Sequence, residues 1–240
     1  MYFTAGYPEL EDTVPIIAEL EKNGVDLIEV GMPFSDPVAD GPVIQNSSNI
    51  ALGNGMSIKK LFEQLKEVRA QVKIPLILMG YLNPVIQFGV EAFCKKCQEI
   101  GIDGLILPDL PLAVYQEEYK DIFEKYGLHN ILLITPQTSE KRVKEIDEAS
   151  SGFIYMVSSS STTGIKNSVA EFQQEYFERI KQMKLKNPCV IGFGISNAET
   201  FQNACKYASG AIIGSAFVKA LNQDLPLERR ISDFAKSMVE

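Results

Sequence analysis

Histidine is almost absent from the 240-residue chain. The one present, His129, precedes the fifth of the strand-like runs described below. A Ser–His–Asp relay or a histidine-based metal site needs imidazole at a working strand end, so neither is supported. Cysteine is scarce as well, with 4 in the chain. Cys94 and Cys97 fall in a helical pattern and Cys189 in a buried-strand pattern, so a disulfide scaffold is not expected. The lone CxxC spacing at 94–97 has no second pair and reads as structural. Positive charge is in deficit: 23 Lys and Arg stand against 31 Asp and Glu, a net charge of −8 with pI near 4.9. That excludes a broad nucleic-acid binder and attraction to an anionic membrane surface. The longest apolar stretch, 74–82, is far too short to span a bilayer. The opening residues lack the basic and apolar regions of a secretory signal, so a cytoplasmic location is expected. No lysine sits at a strand's C-terminal end, since Lys73 precedes its strand and Lys166 and Lys219 lie beyond theirs. A Schiff-base aldolase would need one there. No dinucleotide-binding fingerprint occurs.

What remains is an ordinary globular composition, 45% hydrophobic and 22% charged. Short apolar runs recur at 25–30, 74–79, 104–107, 130–134, 153–157, 189–192 and 211–214. Near-continuous apolar runs suit strands buried on both faces, as in a parallel sheet. Helical spacing fills the intervals at 10–23, 57–72, 90–100, 115–126, 139–149, 169–183 and 197–207, and 225–239 closes the chain. Alternation without a composition break predicts one α/β domain over 1–240. Counting residues 2–4 as the end of a further strand gives eight repeats, which favours a (β/α)₈ TIM barrel over an open doubly wound sheet. The single low-complexity tract is 158–163, all serine and threonine.

In a barrel, function gathers where strands end. Glu29 closes the second run, in Val25-Asp26-Leu27-Ile28-Glu29-Val30. Burial there would raise its pKa and suit it to proton transfer, whereas a rim position would leave it an ordinary solvated acid. The stiff loop that follows carries Asp36 and Asp40, the latter 40 − 29 = 11 residues past Glu29. Folded back over the mouth, it could bring two carboxylates to one pocket; alternatively both aspartates are turn residues. Late in the chain, Gly192-Phe193-Gly194-Ile195-Ser196-Asn197 and Gly214-Ser215-Ala216 each follow a strand and open a helix. Glycine turns after the last two strands suit a phosphate cradle of backbone N–H donors.

The string from Leu27 to Gln45, with Glu29-Val30-Gly31-Met32-Pro33-Phe34-Ser35-Asp36-Pro37-Val38-Ala39-Asp40-Gly41-Pro42 at its heart, resembles the signature of the tryptophan synthase alpha subunit family. Met79-Gly80-Tyr81-Leu82-Asn83-Pro84, Leu107-Pro108-Asp109-Leu110-Pro111, Thr163-Gly164 and the two late glycine turns support it. The resemblance implies a (β/α)₈ barrel, here lacking the leading helix and most of strand one, that cleaves indole-3-glycerol phosphate to indole and glyceraldehyde 3-phosphate. Glu29 would then be the general acid/base, and Asp40 the carboxylate that binds the indole N–H. Tyr2, Met79, Tyr81, Pro108 and Ile134 would surround the indole, with Tyr155 near the catalytic glutamate. Gly164, Gly192, Phe193, Gly194, Gly214 and Ser215 would hold the phosphate, and Thr163 would meet Asp40 as a lid closes. The implied partner is a beta subunit in an α₂β₂ assembly, which carries pyridoxal phosphate, so no cofactor is expected in this chain. Asp36, Pro37, Asn83 and Pro111 would face that partner. A different phosphate-binding barrel, such as a sugar-phosphate isomerase, and a non-catalytic activator of a beta subunit are the competing readings.

Overall fold

A computed structural model describes residues 1–158, 166–192 and 194–239. The apolar runs form parallel strands, in chain order β1 Tyr2–Thr4, β2 Ile28–Gly31, β3 Leu76–Met79, β4 Gly104–Ile106, β5 His129–Asn130, β6 Leu132–Ile134, β7 Ile154–Val157, β8 Cys189–Gly192 and β9 Gly210–Ile212. They pair in sequence order, five in one ladder (β1 to β5) and four in the other (β6 to β9). The ladders are joined at Ile131: its N–H donates to the Leu105 carbonyl at 3.0 Å, and the Asn130 carbonyl accepts from Ser151 N–H at 3.1 Å. Thus β5 and β6 are two pieces of one barrel strand, where the sequence suggested an unbroken run. At the other seam Tyr2 N–H donates to the Ile213 carbonyl at 2.9 Å and closes the cylinder.

The short first strand does not leave the barrel open. Within the chain β1 has 3 residues, as do β4 and β9, and it is in register with β2 along its length (Tyr2 with Glu29, Phe3 with Val30, Thr4 with Gly31). The first-strand edge is therefore paired on both sides rather than left open.

Side-chain parity explains why the runs read as continuously apolar. Ile28, Val30, Leu76, Leu78, Leu105, Ile154, Met156 and Ile191 point outward into the core beneath the helices. Ile77, Ile106, Ile131, Phe153, Tyr155 and Ile212 point inward and fill the barrel. Both faces are dry, so alternation between apolar and polar is lost.

Helices cover the outside: α1 Thr13–Lys22, α2 Pro42–Gly53, α3 Ile58–Leu65, α4 Leu82–Phe88, α5 Val90–Ile100, α6 Leu112–Val114, α7 Lys120–Lys125, α8 Glu140–Ala149, α9 Lys166–Gln182, α10 Ala198–Cys205, α11 Ser215–Ala220 and α12 Leu227–Ser237. Cys94 and Cys97 are buried, unbridged members of the apolar face of α5. α2 and α4 stand where the sequence reading left loops. Their residues favour caps and turns, with Asn46, Ser47, Ser48 and Asn49 inside α2 and Pro84 inside α4. Packing overrides that preference. Ser47 is wholly buried, its hydroxyl donates to the Ile44 carbonyl at 2.9 Å and lies 2.6 Å from the Thr4 hydroxyl, tying α2 to β1. At the closed end, Arg69 donates to the carbonyls of Gly101 (2.7 Å) and Ile74 (2.7 Å) and pairs with Asp103. Asp103 in turn accepts Leu76 N–H at 2.8 Å, which fixes the starts of β3 and β4. No described helix is long and apolar enough to cross a membrane.

Candidate active site at the barrel mouth

Two adjoining chambers open among the strand C-terminal ends. One, of about 510 Å³, is mostly apolar and is walled by Met32, Phe34, Tyr81, Pro108, Leu133 and Val157. The other, of about 560 Å³, is walled by Tyr155, Gly194, Ser196, Ile212, Gly214 and Lys219. Tyr2, Asp40, Ile44, Met79 and Ser215 line both, so Asp40 stands where the chambers meet. A larger groove, of about 840 Å³, runs over Glu140, Lys144, Glu175, Glu178 and Arg179 on the outer helical layer. It presents a mixed-charge surface and shares no lining residue with either chamber.

Asp40 is held by its neighbours rather than by its own loop alone. The Tyr81 hydroxyl donates to Asp40 Oδ2 at 2.9 Å, and the same hydroxyl accepts Ala39 N–H at 3.0 Å. Gln45 Nε2 donates to the Asp40 carbonyl at 2.8 Å. Burial pushes the Asp40 carboxyl above its ordinary pKa, and the Tyr81 hydrogen bond works in the opposite direction.

Glu29 is wholly buried, and among the described residues neither of its oxygens has a hydrogen-bond partner. Burial pushes its carboxyl up to about 8. Glu29 stands in register with Tyr2 across β1 and β2, its charge is felt by Tyr2 and Tyr155, and it lines neither chamber. The two acids are thus brought to one region, with Asp40 exposed to the cavity and Glu29 sealed next to it.

Two glycines make this packing possible. A methyl group at Gly192 would lie 2.0 Å from the Tyr155 hydroxyl oxygen, and one at Gly31 would lie 2.4 Å from that of Tyr2. The tyrosine rings fill the space that side chains would take. Gly192→Ala is therefore expected to destabilise the fold by about 1–3 kcal/mol through overpacking. It should also displace Tyr155. Thermal unfolding measures the first effect, and an unchanged melting temperature would contradict the packing described.

Most residues expected to bind substrate line these chambers: Tyr2, Met79, Tyr81, Pro108, Tyr155, Gly194, Gly214 and Ser215. Two do not. Ile134 packs into the outer core, and its neighbour Leu133 faces the cavity in its place, because strand parity sends adjacent side chains to opposite faces. Gly192 is covered by the Tyr155 hydroxyl. Thr163, Gly164 and Phe193 lie outside the described residues, as does most of the serine–threonine tract. Asn197 caps α10, accepting Thr200 N–H at 2.9 Å. Of the positions expected to face a partner, Asp36, Asn83 and Pro111 are exposed. Pro37 is instead buried and lines the apolar chamber, its carbonyl accepting Asp40 N–H at 3.0 Å in a turn folded inward. Lys219 lies beyond its strand, where sequence position alone gives no signal for the site. It follows Ser215 by one helical turn and so reaches the same chamber.

A closed parallel barrel whose mouth gathers a sealed acid, a cavity acid and glycine turns is the architecture of the (β/α)₈-barrel enzymes. The family described as "Tryptophan synthase alpha chain" matches residues 1–239. A tryptophan synthase alpha chain of Flavobacterium johnsoniae is 66% identical over 223 residues, covering 93% of this chain and 88% of that one. One from Bacteroides thetaiotaomicron is 58% identical over 231 residues, covering 96% and 90%. Among solved structures, the tryptophan synthase alpha chain from Legionella pneumophila superposes with a TM-score of 0.87 at 31% identity, covering 99% of this chain and 88% of that one. This chain belongs to the tryptophan synthase alpha chain family, a family of lyase-type enzymes.

Proposed function

We propose that this chain, as one TIM-barrel domain over 1–240, cleaves indole-3-glycerol phosphate to indole and glyceraldehyde 3-phosphate by a retro-aldol reaction. The observation that carries the reading is the pairing of an apolar chamber with a glycine-turn chamber across a shared carboxylate, Asp40. The indole ring fits the chamber walled by Phe34, Tyr81, Pro108 and Leu133. Asp40 accepts the ring N–H and offsets the positive charge that develops on the ring when C3 is protonated. Glu29, neutral up to a pH near 8, supplies that proton and assists removal of the proton from the side-chain hydroxyl as the carbon–carbon bond breaks. The protonated ring is itself the electron sink, so a lysine imine is not needed and no cofactor is assigned to this chain. Because Glu29 is buried and lines neither chamber, side chains beside it must shift when substrate enters.

The phosphate is assigned to the second chamber, against Gly194, Gly214 and Ser215, where backbone N–H groups can point at an anion without a compensating charge. Gly214 provides a clean test. Its φ of −112° is not left-handed, and the nearest atoms a Cβ there would meet belong to Tyr2, at 3.5 Å, an ordinary contact distance. Gly214→Asp is expected to raise KM for indole-3-glycerol phosphate at least tenfold by adding negative charge beside the phosphate. Unchanged KM would count against the cradle.

The reading includes a tryptophan synthase beta chain as partner in an α₂β₂ assembly, with pyridoxal phosphate held by that partner, in the cytoplasm. Asp36, Asn83 and Pro111 are exposed on the rim of the mouth, where Val38 is 86% and Ile86 47% exposed. Large apolar side chains at a rim suit a docked protein surface. Indole formation measured with and without a beta chain tests both parts. Release of indole is expected in either case, faster with the partner. A sugar-phosphate isomerase would release none, and a pure activator would raise the partner's activity while producing no indole.

A further inference from the structure

Tyr81 stands at the N-terminal boundary of α4, and its hydroxyl does two things at once. It accepts Ala39 N–H at 3.0 Å, gripping the loop between β2 and α2. It donates its proton to Asp40 Oδ2 at 2.9 Å. Asp40 Oδ1 has no hydrogen bond among the described residues, so one carboxylate oxygen is committed and the other remains for a ligand. The tyrosine is itself fixed: its ring packs against Phe34 at 5.2 Å between centroids, and it is buried. Asp109 accepts the next residue's N–H, Leu82, at 2.9 and 3.1 Å, anchoring the start of α4.

From this geometry we infer that Tyr81 is a positioning residue for the cleavage reaction, presenting Asp40 Oδ1 to the indole N–H while holding the carboxylate in its charged form. The inference rests on the assignment of Asp40 to the ring N–H. A carboxylate that takes one donated hydrogen bond cannot rotate freely, and a bond to the charged form lowers its pKa. That effect opposes the burial that raises it. The other ionisable groups around Asp40 are the half-buried Tyr2 of β1 and the buried Tyr155 of β7, both neutral, the buried Glu29 of β2 in register with Tyr2, Lys219 of α11 in the same chamber and Asp109 beyond Tyr81. Without the tyrosine proton, the balance shifts toward the protonated acid, which accepts no ring N–H on its hydroxyl oxygen and offsets no positive charge.

Tyr81→Phe is the test, measured on the full chain together with a beta chain, alongside Asp40→Asn and the double variant. Tyr81→Phe is expected to lower kcat for indole formation about tenfold, the size typical of a hydrogen bond to a charged group. The acid limb of its pH profile should move to higher pH by about one unit, because Asp40 then needs a higher pH to ionise. Activity should recover in part above that limb. A role confined to shaping the chamber would lower activity equally at every pH and leave the limb in place, which would overturn the inference. In the Asp40→Asn background, Tyr81→Phe should cost much less than it does alone, because the residue acts through Asp40. Full additivity would also overturn it. If Asp40→Asn itself leaves activity intact, the underlying assignment of Asp40 fails instead, and the two failures are distinguishable. Thermal unfolding of each variant identifies any loss due to misfolding, and Tyr81→Leu, which removes the ring's polar tip and its stacking, should be worse than Tyr81→Phe in stability.

Discussion

Replacing Glu29 with glutamine is expected to lower indole formation by several orders of magnitude. Glutamine keeps the shape of the side chain and its place among Tyr2 and Tyr155, but it has no proton to give to the indole C3. The expected loss exceeds that of an ordinary acid/base deletion, about 10²–10⁴-fold, where the same group serves both proton transfers. Wild-type activity should also fall as pH rises past about 8, when Glu29 ionises and can no longer act as the acid. In the glutamine variant that limb should vanish from whatever activity remains. Single-turnover measurement of indole release across pH reads both effects. A variant with wild-type rates would remove Glu29 from the chemistry.

The second large effect concerns stability. A carboxyl held neutral up to about 8 in the folded barrel ionises near 4.5 in the unfolded chain. Below the lower value both states carry the proton, and folding costs nothing on this account. Between the two values the unfolded chain binds fewer protons than the folded one, so stability falls as pH rises, and above the upper value the loss is complete. The difference corresponds to about 5 kcal/mol. For a domain of this size that is roughly 10 °C or more in melting temperature. Glu29→Gln should remove this slope. Its burial of an amide carries its own penalty, but that penalty does not depend on pH. The variant should therefore gain on the wild type steadily between pH 5 and pH 8, and the protein would be carrying in its core an acid with no hydrogen-bond partner among the described residues, at the expense of its own stability. Parallel melting curves for the two proteins would contradict the raised pKa.

Much of this was legible before any coordinates. The strand runs, the barrel and the loop acids followed from apolar patterning and from where Glu29 and Asp40 fall relative to β2. The class of site followed from glycines placed directly after β8 and β9. Other features were hidden for identifiable reasons. α2 and α4 are written in cap-forming residues and a proline, and become helical because Ile44, Ser47, Ala51 and Val85 are buried against the barrel. The resemblance points to Ile134 for the cavity wall, yet Leu133 occupies it, because strand parity turns a one-residue offset into the opposite face. The role of Tyr81 depends on a contact across 41 residues of sequence, which no local pattern encodes. Nor could spacing reveal that Gly31 and Gly192 yield their volume to the rings of Tyr2 and Tyr155, which come from other strands.

A crystal structure of the Glu29→Gln variant with indole-3-glycerol phosphate bound is the most direct measurement. The account predicts the ring N–H on Asp40 Oδ1, the phosphate at Gly214 and Ser215, and C3 within reach of the residue 29 side chain after Tyr2 or Tyr155 has swung aside. A ring seated elsewhere, or a residue 29 still walled off from the ligand, would contradict it.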